Sequence, residues 1–131
     1  MTIRECINRL DANKPNTYTT PDKLAWLSKI DGDVYKTIIQ THHTDIDPET
    51  GQETVIEYDG YTEDTDLDTV LLVEPPYDEL YLRYLEGQID YANGEYGKYN
   101  NSISAYNAQF MAYEQWYNRT HMPKGKHIRF F

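Results

Sequence analysis

The sequence contains one cysteine, Cys6, in 131 residues, so no disulfide can form within the chain. It has no hydrophobic run long enough to cross a membrane, and its first ten residues carry charges where a signal peptide is apolar. We therefore expect a protein of a reducing compartment without a membrane segment. The lone cysteine is expected to be a buried core residue.

Positive charge is also scarce, because 12 lysines and arginines face 22 acids and leave a formal net charge of −10. This balance argues against a protein that wraps nucleic acid, since such a protein needs a basic surface. The acids are unevenly distributed. Residues 42–79, called here the acidic segment, hold thirteen acids and no lysine or arginine.

Motifs for catalysis and cofactor binding are missing, including the nucleophile elbow, the P-loop and the dinucleotide fingerprint. His42 and His43 are adjacent and have no histidine at the i+4 spacing of a helical zinc site. Acids at 45, 47 and 49 alternate as in a calcium loop, but Thr50 and Ile56 replace the required glycine and glutamate. We expect no catalytic site, no metal and no cofactor, and hence no enzyme.

Tyrosine is abundant, accounting for 13 of the 18 aromatic residues. Its ring provides a large contact area while its hydroxyl stays hydrated, which suits half-buried surfaces and interfaces. The composition is compatible with a core that continues into neighbouring subunits. It is equally compatible with a small polar core with hydrated edges.

Apolar spacing predicts four helices. The first spans residues 3–12, and the second runs from an N-cap at Thr20 to about residue 41 with an interruption at Gly32. The third begins at Pro76 and ends at Asn93 and Gly94, and the fourth spans about residues 95–118. The short connection predicts that the last two helices are antiparallel neighbours.

The apolar positions of the fourth helix alternate at spacings of 3 and 4, which predicts a continuous core seam against the third helix. The seam consists of Tyr96, Tyr99, Ile103, Tyr106, Phe110, Tyr113 and Tyr117.

Residues 42–68 are expected to form an acidic loop or a small β-hairpin, because a turn signal at 47–51 precedes β-branched residues at 54–56. Residues 70–73 are expected to be a buried strand or an extended segment. The predicted fold is mainly α: one domain over residues 1–131, built as a small helical bundle with a long antiparallel helix pair and a β-hairpin-like acidic insertion. Residues 122–131 are expected to form an extended basic tail.

Four segments carry a family resemblance: 74–81 (EPPYDELY), 88–95 (QIDYANGE), 99–101 (YNN) and 117–121 (YNRTH). Together they resemble the head–tail connector, or adaptor, proteins in the neck of tailed bacteriophages and prophages, in particular those of Gram-positive hosts. The resemblance covers most of the chain and is strongest over residues 70–124. The helix predicted around residues 22–39 also fits the family's arrangement.

The resemblance implies a structural virion protein of the neck, made in the cytoplasm of a host bacterium. Family members form rings, typically of twelve copies, beneath the portal protein. The ring extends the DNA channel, through which DNA passes without specific binding, and it offers a docking surface for stopper or tail-completion proteins. In relatives the C-terminal segment grips the portal, which implies portal contacts for Lys124, Lys126, Arg129, Phe130 and Phe131.

The acidic stretch at residues 45–66 departs from the family pattern. An acidic channel lining would keep a duplex sliding, so we hypothesise that Asp64, Asp66 and Asp68 face the channel or a partner. An outward, solvated loop explains the same residues equally well. Two other functions remain open: an acidic inhibitor that mimics DNA, and a generic helical protein-interaction module. The crowding of acids in one loop-rich segment weakens the first, and the absence of a second helical repeat weakens the other.

Overall fold

The computed structural model describes residues 1–124 of the chain. Within them the protein is mainly helical, as predicted, with four α-helices and no β-strand. The helices are α1 (Ile3–Asn13), α2 (Thr20–Val34), α3 (Glu79–Ala92) and α4 (Tyr96–Thr120), and a π-helical turn, Tyr35–Ile39, continues α2. In the described part of the chain, no helix combines the length and apolarity needed to cross a bilayer.

Side-chain caps determine where the first two helices begin. Thr2 caps α1 and exchanges hydrogen bonds with Glu5. Thr19 caps α2 in the same way with Asp22, so the prediction of Thr20 as the N-cap was wrong by one residue. The reason is spacing, because a capping box needs its acid three residues after the cap. Likewise, α3 begins at Glu79 rather than Pro76, since residues 75–78 form a turn.

The core lies between α1, α2 and α3. Cys6 is fully buried in it, as predicted, and burial raises the pKa of its thiol to about 12. The largest fully buried aliphatic side chains come from all three helices: Ile3, Leu10, Leu27, Ile30, Leu80, Leu85 and Ile89.

Helix α4 packs along α3 in the opposite direction. Tyr84 contacts Tyr106 at a ring-centroid distance of 5.0 Å, and Tyr77 contacts Tyr113 at 5.9 Å. The turn between the helices uses Gly94 at φ 76°, the left-handed conformation expected from the sequence. The two helices also pack closely at Gly87, where an added Cβ would sit 3.1 Å from a methyl carbon of Ile103.

The predicted seven-residue seam packs against α3, but the prediction that all of it lies in the core was wrong. Only Tyr113 and Tyr117 are buried. Tyr96 is 58% exposed, and four members are half-buried: Tyr99, Ile103, Tyr106 and Phe110. The physical reason is that α4 has no layer beyond α3 at its N-terminal end.

The acidic segment contains no strand in the structure. The expected hairpin is reduced to a turn closed by one isolated antiparallel bridge between Ile46 and Glu53. Residues 70–73 form no strand: Val70 makes an isolated bridge with Thr2, residues 72 and 73 bend, and Leu71 and Val73 are buried. Just before them, the carbonyls of residues 67 and 69 accept hydrogen bonds from the backbone N–H groups of residues 4 and 3 at the start of α1.

Candidate functional site

The acidic segment begins at a buried histidine. His42 is 6% exposed, its Nδ1 lies 2.7 Å from the Ile38 carbonyl oxygen, and its Nε2 lies 2.6 Å from Oδ1 of Asn118 on α4. The ring also stands edge-on to Tyr117 at 5.3 Å. His42 therefore joins the start of the acidic segment to the last turns of α4.

Two further histidines hold carboxylates of the same segment. His43 Nδ1 lies 3.1 Å from a carboxylate oxygen of Glu53, and His121 Nε2 lies 3.0 Å from Oδ1 of Asp45. His121 also stacks on Tyr117 at 3.9 Å. The adjacent histidines 42 and 43 thus face different partners. No group of three or more potential ligands is arranged for a metal ion within residues 1–124.

The described start of the tail is attached at the same place. The His43 backbone N–H donates to the Met122 carbonyl at 2.7 Å, and the Lys124 N–H donates to the Thr41 carbonyl at 2.8 Å. Among the predicted portal contacts, Lys124 is exposed at this junction. The remaining four lie outside the described residues: Lys126, Arg129, Phe130 and Phe131.

A second attachment of the acidic segment centres on Asp31 of α2, which has no solvent exposure. Its carboxylate accepts hydrogen bonds from the Tyr61 hydroxyl at 2.5 Å, the Tyr81 hydroxyl at 2.6 Å and the Leu72 backbone N–H at 3.1 Å. The Tyr81 hydroxyl in turn accepts from the Val73 N–H at 2.8 Å. Two parts of the acidic segment are therefore bound to one buried acid.

Burial raises the pKa of Asp31 above its ordinary value, and the three hydrogen bonds oppose this rise only in part. Burial and the adjacent carboxylate also raise the pKa values of Tyr61 and Tyr81, so both hydroxyls act as donors. This network was not predicted from the sequence. The sequence feature that could have indicated the network is Asp31, an acid within the apolar stripe of α2 at helical spacing from Leu27 and Val34.

The three acids proposed to face a channel or partner are all exposed. Asp68 accepts a hydrogen bond from Nε of Arg4 at 2.9 Å, and Asp66 accepts one from the Asp68 backbone N–H at the same distance. The carboxylate of Asp68 is therefore partly neutralised by α1, whereas Asp64 presents its charge to solvent.

A surface groove adjoins this site. This groove of about 290 Å³ lies between the end of the π-helical turn and the acidic segment, and Lys124 forms part of its rim. Its walls include Tyr35, Ile39, Glu53, Val55 and Ile56.

At the opposite end of α4, Tyr91, Tyr96 and Tyr99 form an exposed or half-exposed cluster with ring centroids 5.0–5.4 Å apart.

No protein-family model, no curated protein and no solved structure matches this chain.

Proposed function

We propose that this chain is a non-enzymatic connector subunit in the neck of a tailed bacteriophage or prophage. Copies of it would form a ring beneath the portal protein, extend the DNA channel and present a docking surface to a stopper or tail-completion protein. The proposal rests on the resemblance of residues 70–124 to that family.

The observation that carries the proposal is that the resembling motifs occupy key positions of one structural unit. Segment 74–81 leads into α3 and supplies Tyr77, which packs against Tyr113 and Trp116. Segment 88–95 forms the end of α3 and the Gly94 turn. Segment 117–121 ends α4 and supplies His121 to the acidic segment.

The position of the tail supports a role in attachment. Hydrogen bonds of Met122 and Lys124 to residues 41–43 give the following basic residues a defined point of departure from the body of the subunit. Lysine and arginine there would pair with acidic portal residues, and the two phenylalanines would anchor in an apolar portal groove. Deleting residues 125–131 should preserve the helical content and abolish portal binding.

Assembly is the direct test of the proposal. The purified chain should be measured by native mass spectrometry alone and after mixing with the portal protein encoded in the same genome. We expect the chain to join the portal as a ring with one fixed copy number. A genome without a portal gene, or a portal that recruits no copies, would contradict the connector function.

The acidic residues lend themselves to a separate test. Replacing Asp64 and Asp66 by asparagine in assembled rings should increase the affinity of the rings for duplex DNA, because it removes repulsion from the phosphates. The matched control is Glu95→Gln/Glu114→Gln, which also removes two acids but lies outside the acidic segment. Unchanged DNA affinity in the Asp64 and Asp66 variant would favour a solvated outer loop over a channel lining.

A further inference from the structure

We infer that the groove beside Lys124 is a docking site for this chain's own residues 126–131. The groove lies against the acidic segment and has a volume of about 290 Å³. This volume is at the lower end of the range for ligand sites, so it suits one or two apolar side chains rather than a whole small molecule. The inference concerns the free chain and does not depend on the connector function.

The first reason is an apolar patch in a groove of mixed polar and apolar lining. Val55 is 80% exposed. It stands next to the half-buried Ile56, and Ile39 forms part of the groove wall. An apolar side chain placed over Val55 would remove this surface from water, which favours docking.

The second reason is proximity. Lys124 belongs to the groove rim, and its backbone N–H is hydrogen-bonded to Thr41, so the chain is already at the groove at this point. Seven extended residues reach at most about 23–25 Å. The next residue is Gly125, which accepts the backbone conformations needed to reverse direction. Residues 126–131 therefore have the length to lie along the groove.

The third reason is complementary chemistry. Glu53 lines the groove, and Asp45 and Glu57 are exposed on the same segment, which carries no lysine or arginine. Residues 126–131 carry Lys126 and Arg129 and no acid. The same short stretch also supplies apolar side chains that would cover Val55 and Ile56: Ile128, Phe130 and Phe131.

Docking has a functional consequence. While the groove holds residues 126–131, their phenylalanines are withheld from other proteins and from self-association. A partner that binds residues 126–131 must first displace them from the groove. The partner would therefore bind the wild-type chain more weakly than a variant whose groove is blocked. The groove would then be empty in the assembled state and open to a neighbouring molecule.

The test is disulfide formation in the full-length chain, starting from the double variant Val55→Cys/Phe131→Cys. Cys6 can remain, because burial raises the pKa of its thiol and keeps it unreactive. The matched control is Arg119→Cys/Phe131→Cys, since Arg119 is also exposed but lies outside the groove, near the end of α4. Arg119 precedes Lys124 by five residues, so their Cα atoms are at most about 18 Å apart and the tail can reach both cysteine positions.

We expect the Val55→Cys variant to form a disulfide within one chain at least about tenfold faster than the control, because docking raises the effective concentration of the two thiols. Adding Lys126→Glu and Arg129→Glu should reverse most of that advantage. Equal rates in the two cysteine pairs would overturn the inference. Disulfides mainly between two chains, seen on a non-reducing gel, would also overturn it, since the occupant would then be a second copy.

Discussion

The two ends of α4 carry the same aromatic spacing and have opposite environments. Tyr113 and Tyr117 at the C-terminal end are buried, whereas Tyr96 at the N-terminal end is 58% exposed. Helix α3 runs beside the first half of α4, but the C-terminal end is covered by other residues. There, Tyr77 and His42 contact the buried tyrosine rings, and both belong to the acidic segment.

This difference shows that the acidic segment is a structural layer of the fold. Its backbone satisfies the first N–H groups of α1, its Tyr61 and Leu72 bind the buried Asp31, and its Leu71 and Val73 enter the core. The thirteen acids lie largely on the outward side of a chain whose inward side is apolar. A stretch that composition marks as a solvated loop therefore closes one end of the core.

The largest expected effect tests the two ends of α4 directly. Tyr113→Ala should lower the free energy of unfolding by about 3–5 kcal/mol, because it leaves a cavity beneath the acidic segment. The matched change Tyr96→Ala should cost no more than about 0.5 kcal/mol, since that ring is exposed. Urea unfolding followed by circular dichroism measures both. Equal losses would mean that the two ends are buried alike.

A second prediction addresses how the acidic segment is held. Tyr81→Phe removes the hydroxyl that donates to Asp31 and accepts from the Val73 N–H, leaving both buried groups without this partner. We expect a loss of about 2 kcal/mol in the free energy of unfolding. The same substitution at the exposed Tyr91 is the control and should be nearly neutral. A neutral Tyr81→Phe would show that water replaces the hydroxyl and that the network contributes little.

Glycines provide a third comparison between a covered and an open position. Gly87→Val should destabilise the protein by roughly 1–3 kcal/mol, because the new side chain meets Ile103 and Ser102 of α4. Gly97, near the start of α4, has no atom within 4 Å of an added Cβ. Gly97→Ala should therefore stabilise the helix by up to about 1 kcal/mol. Thermal unfolding of both variants distinguishes these outcomes by sign.

The smallest effect concerns pH. Because burial raises the pKa of Asp31, the stability that protonated Asp31 contributes is fully present below its unfolded value of 3.8 and is lost as pH rises through the folded value. Relative to Asp31→Asn, the wild type should thus lose stability as pH increases above about 4. The measurement is urea unfolding of both proteins across that range.

Other acids have lowered pKa values and therefore add stability as pH rises. Their contributions cancel when the free energy of unfolding of the wild type is compared with that of Asp31→Asn. The pKa of Glu5 is lowered by the backbone N–H of Thr2, and that of Glu53 by the backbone N–H of Thr44. Both groups are present in the wild type and in the variant. If the free energy of unfolding of the wild type, relative to that of Asp31→Asn, stays constant or rises with pH, the Asp31 carboxylate is better stabilised than its burial implies.

Local signals predicted the helices well. The apolar positions of α1, the left-handed turn at Gly94 and the mainly helical class follow from interactions between residues close in the chain. The hairpin expected at residues 54–56 did not form strands, because β-branched residues favour a strand only where a partner strand is available. The Asp31 network was missed for a related reason, since its partners lie 30 to 50 residues away.

The sequence by itself determined where the helices lie, which face of α4 is aromatic and where the negative charge is concentrated. These properties depend on spacing and composition, which the chain carries locally. Only the tertiary structure decided which tyrosines of that face are buried and that the acidic segment covers them. Burial depends on what lies on the other side of a residue, and here that neighbour is a distant stretch attached through Asp31, His42 and His121.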